Sequence, residues 1–187
     1  MSNASNAIGI LELSSIVAGY RAQDMMLKAA HVEVIIARTI CSGKFLIVIG
    51  GSVSSISAAL DAGCTAAEGY IVEKLNIANI DSQVFSALSG SVVIPEGVGQ
   101  AMGIVETFSV APIIEAADAA VKSADVLLFR VHVSMAIGGK GFMLLCGNVA
   151  SVTMAVGAAV EQIKETGMLV NHTVIPSASK ELFKEYI

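Results

Sequence analysis

The sequence predicts an α+β fold in which one unit of about 90 residues occurs twice. Residues 7–12 (AIGILE) return as residues 101–106 (AMGIVE), and residues 24–30 (DMMLKAA) return as residues 118–124 (DAAVKSA). Both matches have an offset of 94, and from the second copy's loop before Gly139 onward the offset is 96. In both copies strand-like and helix-like patterns follow in the same order, which predicts helices covering an antiparallel sheet.

The first copy begins with a strand. Ala7–Leu13 alternates small and large apolar residues, and residues 21–30 then place apolar side chains at the spacing of a helix. The next two strands form a hairpin whose tip is Cys41-Ser42-Gly43, and Ser52 is the predicted N-cap of the following helix. The remaining predicted elements of this copy are strands over 32–39, 45–49 and 70–77 and helices over 53–62 and 82–88.

The second copy repeats this order after a linker predicted within residues 88–99, where serine, glycine and Pro95 cluster. Its Lys140 corresponds to Lys44 of the first copy, so the second hairpin ends in the same glycine-lysine pair. The predicted elements of this copy are strands over 101–107, 126–134, 141–146 and 168–175 and helices over 113–124, 149–165 and 180–186.

The composition predicts extensive burial against other subunits. Apolar residues make up 55% of the 187 residues, charged residues only 14%, and the mean hydropathy is +0.75. Residues 141–160 carry no charge and are long enough to span a bilayer, but Gly147-Asn148 divides them into a strand-like and a helix-like piece. Because obligate interfaces are more apolar than ordinary surface, we expect contacts between subunits and no membrane partner.

Charge and cysteine content limit the expected partners and the expected cellular compartment. The net charge is −5 and there is no run of lysine or arginine, so nucleic acid is not an expected partner. Three cysteines without a CxxC motif favour a reducing compartment over a disulfide framework. The polar N-terminal residues lack the features of a secretion signal, and we expect a cytoplasmic protein.

The ordered set of motifs resembles the bacterial microcompartment shell domain. The family pattern is a strand A-x-G-x-(V/I)-E, then D-x-x-x-K-A-A, a glycine-lysine hairpin and G-x-V-x-x-(V/I)-x-x-A. Both copies carry all four parts, with Leu11 at the (V/I) position of the first copy and Ser123 at the first alanine of K-A-A in the second. The resemblance spans nearly the whole chain, and the motif residues are 7–12, 24–30, 43–44 and 51–59, and 101–106, 118–124, 139–140 and 147–155. The resemblance implies two tandem unpermuted shell domains, residues 1–94 and 95–187.

In tandem members of that family, three chains form a trimer that imitates a hexamer, and this flat tile packs edge to edge with others. The resemblance therefore implies a homotrimeric pseudohexamer in the shell of a bacterial microcompartment. It implies other shell proteins as partners and, through the metal site below, an encapsulated redox enzyme. It also places the first hairpin tip at a central three-fold pore lined by Ile40, Cys41, Ser42 and Gly43.

Cys41 is the strongest candidate for a chemical role, because the cysteine is not part of the repeated pattern. Met135 or a neighbour stands at the corresponding position of the second copy. Thiolates are ligands of iron–sulfur clusters. Three Cys41 residues around the axis would hold one [4Fe–4S] cluster per trimer, leaving one iron for another ligand. The segment resembles tandem shell proteins of propanediol-utilisation compartments, whose equivalent cysteine is a ligand, which implies electron transfer or cluster delivery across the shell. Zinc, or an open pore for a small metabolite without metal, are the alternatives.

The other candidate residues are interpreted as structural. Lys28 and Lys122 each follow an aspartate by four residues, which predicts an ion pair on the helix, and the resemblance implies that both lie at the tile edge. The arginine that many hexameric shell proteins carry near the last strand is absent from residues 80–82 and 175–177. Glu12 and Glu106 are equivalent by duplication, and no catalytic set accompanies them, which disfavours an enzyme.

Overall fold

A computed structural model of the chain describes residues 7–95, 100–133 and 137–184. The described residues fall into two compact units, the first reaching from Ala7 to Ile80 and the second beginning at Asp81, apart from loop residues 137–139, which group with the first.

The first unit is a four-stranded antiparallel sheet covered by two helices. Its strand order is β2-β3-β1-β4, so every strand pairs with a neighbour of opposite direction. Helices α1 and α2 pack on each other and on the sheet. The elements in chain order are β1 (Ala7–Leu13), α1 (Ile16–Ala29), β2 (Glu33–Ile40), β3 (Lys44–Gly51), α2 (Val53–Ala66) and β4 (Ile71–Ala78).

The second unit contains the same arrangement with one helix before it. Its strand order is β6-β7-β5-β8, again antiparallel throughout. The predicted fold class, two tandem domains that each place helices on an antiparallel sheet, therefore matches the structure. The elements are α3 (Ser82–Ser89), β5 (Ala101–Thr107), α4 (Val110–Ser123), β6 (Leu127–Val133), β7 (Gly141–Gly147), α5 (Val149–Ile163) and β8 (Leu169–Ile175).

The core of the first unit lies between the sheet and its two helices. All seven residues of β1 are buried, because this strand is central in the sheet. Close packing requires glycine on α1, where a Cβ at Gly19 would lie 2.4 Å from the ring of Phe45. Phe45 is itself buried among apolar side chains of both helices and contacts the ring of Tyr20, with centroids 4.9 Å apart.

Four of the described helices, α1, α2, α3 and α5, begin at polar caps that satisfy their first backbone N–H groups. The side chain of Ser52 accepts from the backbone N–H of Ser55 at 3.2 Å, as predicted, and the side chain of Asn148 caps α5 in the same way. Helix α1 begins five residues before the predicted Arg21, because Ser15 caps it and its first turn exposes apolar side chains that the amphipathic pattern excluded. Helix α4 begins at Val110 with Pro112 in its first turn, where proline is tolerated.

Residues 88–95, the described part of the linker predicted over residues 88–99, belong to the second unit. Helix α3 continues to Ser89 and belongs to the second unit, where it packs against β6. Val92 and Ile94 then pack against an apolar cluster of the second unit that includes Phe129. The predicted boundary between residues 94 and 95 stays a prediction.

The C-terminal segment differs from the predicted helix over residues 180–186. The described part forms a single 3₁₀ turn over Lys180–Phe183, capped by the side chain of Ser179. Residues 185 and 186 of that prediction lie outside the described residues. A segment this short depends on packing to hold a helix, and it is only partly packed, since Leu182 is half exposed.

The charge-free run over residues 141–160 divides where the sequence predicted. It forms β7 and most of α5, with Asn148 between them as the helix cap. Within the part of the chain that the structure describes, no helix combines the length and the apolar character needed to cross a bilayer.

Candidate metal centre

The site is built on the tip of the β2–β3 hairpin. Strand β2 ends at the buried Ile40, a 3₁₀ turn covers Cys41–Gly43, and β3 begins at Lys44. Ser42 and Gly43 both have positive φ values, 67° and 73°. The left-handed region is costly for a residue with a Cβ, on the order of 1–2 kcal/mol, so Ser42 makes this tight bend a strained one. It leaves Ser42 and Gly43 exposed and Cys41 half-buried, as a hairpin tip requires.

A buried ion pair closes the base of this hairpin. Lys44 donates to the carboxylate of Glu12, which lies on the neighbouring strand β1 and is fully buried. The second repeat carries the equivalent pair, Lys140 with Glu106 at 2.9 Å, in a more exposed setting. Sequence reasoning noted these residues only as repeat markers. The joint recurrence of the glutamate and the lysine was the signal that could have identified the pair.

The other two cysteines are poor thiolate donors. Burial raises the pKa of Cys146 to about 11. Burial also raises the pKa of Cys64, and Asp61 adds to the shift while Lys74 opposes it. Cys64 is half-buried. Because the thiolate is the metal ligand, both environments disfavour metal binding.

Within one chain, the described residues provide too few donors for a metal site. Among the described residues, no group of three or more histidine, cysteine, aspartate or glutamate side chains is placed to hold a metal ion. The position matching Cys41 in the second repeat, Met135 or a neighbour, lies outside the described residues. A [4Fe–4S] cluster takes cysteine thiolates, so the half-buried Cys41 fits such a group only if several chains each contribute one thiolate.

The two candidate edge lysines form the predicted ion pairs. Lys28 pairs with Asp24 at 2.6 Å and Lys122 pairs with Asp118 at the same distance, each four residues apart on its helix. The surroundings differ, since Asp118 is buried and also accepts a hydrogen bond from the backbone N–H of Asp81 at 2.8 Å. A role of either lysine at a tile edge stays a prediction.

Comparison with known proteins identifies the repeat. The family model of the BMC domain matches the chain twice, over residues 7–80 and residues 101–178. The chain belongs to the BMC-domain family. The bacterial microcompartment shell protein PduT of Citrobacter freundii is 44% identical over 183 residues, which cover 98% of both chains.

Two further relatives agree with this assignment. A crystal structure of a microcompartments protein from Desulfitobacterium hafniense DCB superposes with a TM-score of 0.91 at 40% identity, covering 96% of this chain and 99% of that one. The carboxysome assembly protein CcmO of Synechocystis sp. is 30% identical over 96% of this chain, which corresponds to 64% of its own length.

These relationships establish the general role of the protein. It is a tandem BMC-domain protein of the microcompartment shell, and its function is structural and not enzymatic. Proteins of this family oligomerise and assemble with other shell proteins. The predicted family, fold class and shell location are thereby confirmed.

Proposed function

We propose that three copies of this chain form a pseudohexameric tile whose Cys41 thiolates hold one [4Fe–4S] cluster on the three-fold axis. The observation that carries the proposal is the position of Cys41, half-buried at a hairpin tip in only one of the two repeats. One thiol per chain gives three donors in a trimer, which leaves one iron for a further ligand.

The hairpin would support an anionic group at this position. The left-handed backbone of Ser42 and Gly43 follows the 3₁₀ turn residue Cys41, and turns of this kind direct successive backbone N–H groups toward an anion. The ion pair of Lys44 with Glu12 ties the end of the turn to the central strand β1. Cys41 would thus be held at a defined distance from the axis.

The bound group would supply one-electron storage. A reductant on one side of the shell would give up one electron to it, and an oxidised acceptor on the other side, such as an encapsulated redox enzyme, would take that electron. Delivery of the intact group through the shell is a second use of the same site. In either case the residues of this chain bind and orient, and the structural role of the tile is unchanged.

Metal content of anaerobically purified protein tests the proposal. We expect a brown protein with four irons and four sulfides for three chains, and a mass of three chains in solution. Cys41→Ser should lose the iron while keeping the mass, and Cys64→Ser, the matched control at a thiol with a raised pKa, should keep both.

The outcome separates this proposal from its alternatives. A wild-type trimer that stays colourless after reconstitution with iron and sulfide would exclude the cluster and favour an open pore for a small metabolite. The exposed Ser42 and the open space around Gly43 are compatible with such a pore. Zinc in place of iron would appear in the same metal analysis.

A further inference from the structure

Helices α1 and α4 are copies at an offset of 94, yet one face of α1 is exposed where that of α4 is buried. Three apolar side chains of α1 are strongly exposed: Val17 (80%), Tyr20 (64%) and Leu27 (46%). Their counterparts on α4 are at most 9% exposed: Ala111, Ile114 and Val121. Residues three, four and seven apart share a helix face, so these positions with Asp24 form one surface, the α1 stripe (Val17, Tyr20, Asp24, Leu27).

The aspartate in the middle of this surface shows the same contrast. The side chain of Asp118 on α4 is 11% exposed, and that of Asp24 on α1 is 57% exposed. Asp118 accepts from the backbone N–H of Asp81, the N-cap of α3, at 2.8 Å. On Asp24, the partner that the structure shows is Lys28.

Helix α3 is thus seated on the second unit by specific polar contacts. The side-chain amide of Gln83 accepts from the backbone N–H of Leu128 at 3.0 Å and donates to the backbone carbonyl of Val126 at 3.3 Å. Val84 beside it is fully buried. The cap of α3 on Asp118 and the amide contact to β6 define where the helix binds.

The C-terminal segment is the second copy of α3. Strand register sets the alignment, because Ile8 pairs with Ile77 and its counterpart Met102 pairs with Ile175. The resulting offset of 98 aligns Ser179 with Asp81, Glu181 with Gln83, and Leu182 with Val84. The side chain of Ser179 accepts from the backbone N–H of Glu181 at 3.4 Å, as Asp81 does from Gln83 at 2.9 Å.

This segment is only partly packed within its own chain. The ring of Phe183 contacts that of Phe129 with centroids 6.2 Å apart. Leu182 is half exposed, whereas its counterpart Val84 is fully buried. Each chain therefore presents one α1 stripe and one C-terminal segment. The elements equivalent to these two, α4 and α3, are already in contact with each other.

We propose that residues 179–184 of one copy dock on the α1 stripe and β2 of a second copy, as α3 docks on α4 and β6. In this contact the backbone N–H of Ser179 donates to Asp24, and Glu181 accepts from the backbone N–H of Val34, which aligns with Leu128 by strand register. Leu182 covers the exposed apolar residues of the stripe. The contact is head-to-tail, so it repeats from chain to chain until the ring closes. This inference rests on the homotrimer proposed above and names the surfaces that close it.

Crosslinking of two chains that carry different cysteine substitutions tests the docking directly. A Cys41→Ser, Cys64→Ser background removes the accessible thiols and makes the test independent of any cluster. In that background, chains with Asp24→Cys and chains with Ser179→Cys are co-expressed and treated with a short bis-maleimide. We expect a covalent pair of chains on a denaturing gel.

Matched controls fix the interpretation. The single chain with Asp81→Cys and Asp118→Cys carries the equivalent contact and should link internally. Asp24→Cys co-expressed with Thr153→Cys, at an exposed site on α5, should not link. Linkage in the internal control without linkage between positions 24 and 179 would overturn the docking.

The mass in solution gives a second, independent measurement. Tyr20→Glu should reduce the mass from three chains to one, since it places a charge in the docked surface, and an unchanged mass would overturn the docking. A trimer without iron would refute the cluster alone and leave the docking intact. A protein that contains iron and keeps the mass of three chains in the Tyr20→Glu variant would refute the docking alone.

Discussion

The buried ion pair between Lys44 and Glu12 should contribute strongly to stability, and Lys44→Met tests this. Glu12 is fully buried, and its second carboxylate oxygen, Oε2, has no hydrogen-bond partner among the residues that the structure describes. Without Lys44 the buried carboxyl of Glu12 loses its ion-pair partner while it lies directly opposite Glu73 of β4. Removing one partner of a buried pair costs about 3–5 kcal/mol. The lysine is partly exposed, so we expect a loss near the lower end, about 3 kcal/mol.

Lys140→Met in the second repeat is the matched comparison. Lys140 and Glu106 are each more than one third exposed, and pairs in such a setting contribute about 0–1 kcal/mol. For a chain of this size each kcal/mol corresponds to about 2–4 °C in the melting temperature. We therefore expect a decrease of about 6–12 °C for Lys44→Met and at most about 4 °C for Lys140→Met.

Thermal unfolding followed by circular dichroism would measure both decreases. Chain concentration must be equal in all samples, since assembly adds to apparent stability. The double variant Glu12→Leu, Lys44→Met should recover part of the loss, because it removes the unpaired buried charge. Equal decreases for the two lysine variants, or a double variant no better than Lys44→Met, would refute the reasoning.

Two further predictions concern packing and thiol chemistry. Gly19→Ala should destabilise the protein by about 1–3 kcal/mol through overpacking against Phe45. Gly157→Ala on α5, where the space around the glycine is open, should stabilise it by up to about 1 kcal/mol. Urea denaturation of both variants measures these changes, and similar effects of the two substitutions would contradict the prediction. Burial raises the pKa of Cys146 to about 11, so on the order of one thousandth of it is thiolate at pH 8. Mass spectrometry after iodoacetamide treatment should find Cys146 unmodified in the folded protein and modified in urea, and modification of the folded protein would show that the thiol is accessible.

Local patterns in the sequence were sufficient for most elements. The strand Ala7–Leu13 and the hairpin tip at Cys41-Ser42-Gly43 match the structure, because alternation and turn residues act between neighbours in the chain. The start of α1 was missed, since the apolar periodicity used for the predicted helix begins at Ala22, while the cap at Ser15 determines the first turn. Terminal turns depend on one capping side chain, which the periodic pattern does not record.

The sequence by itself determined that one unit occurs twice, that each copy builds an antiparallel sheet under helices, and that Cys41 stands in only one hairpin. Only the tertiary structure decided how equivalent positions differ. Asp24 and Asp118 occupy the same place in the repeat, yet one is exposed and the other receives the cap of α3. Glu12 and Glu106 likewise match in sequence and differ in burial. Burial depends on which distant segment packs against a residue, and a repeated motif carries no information about that neighbour.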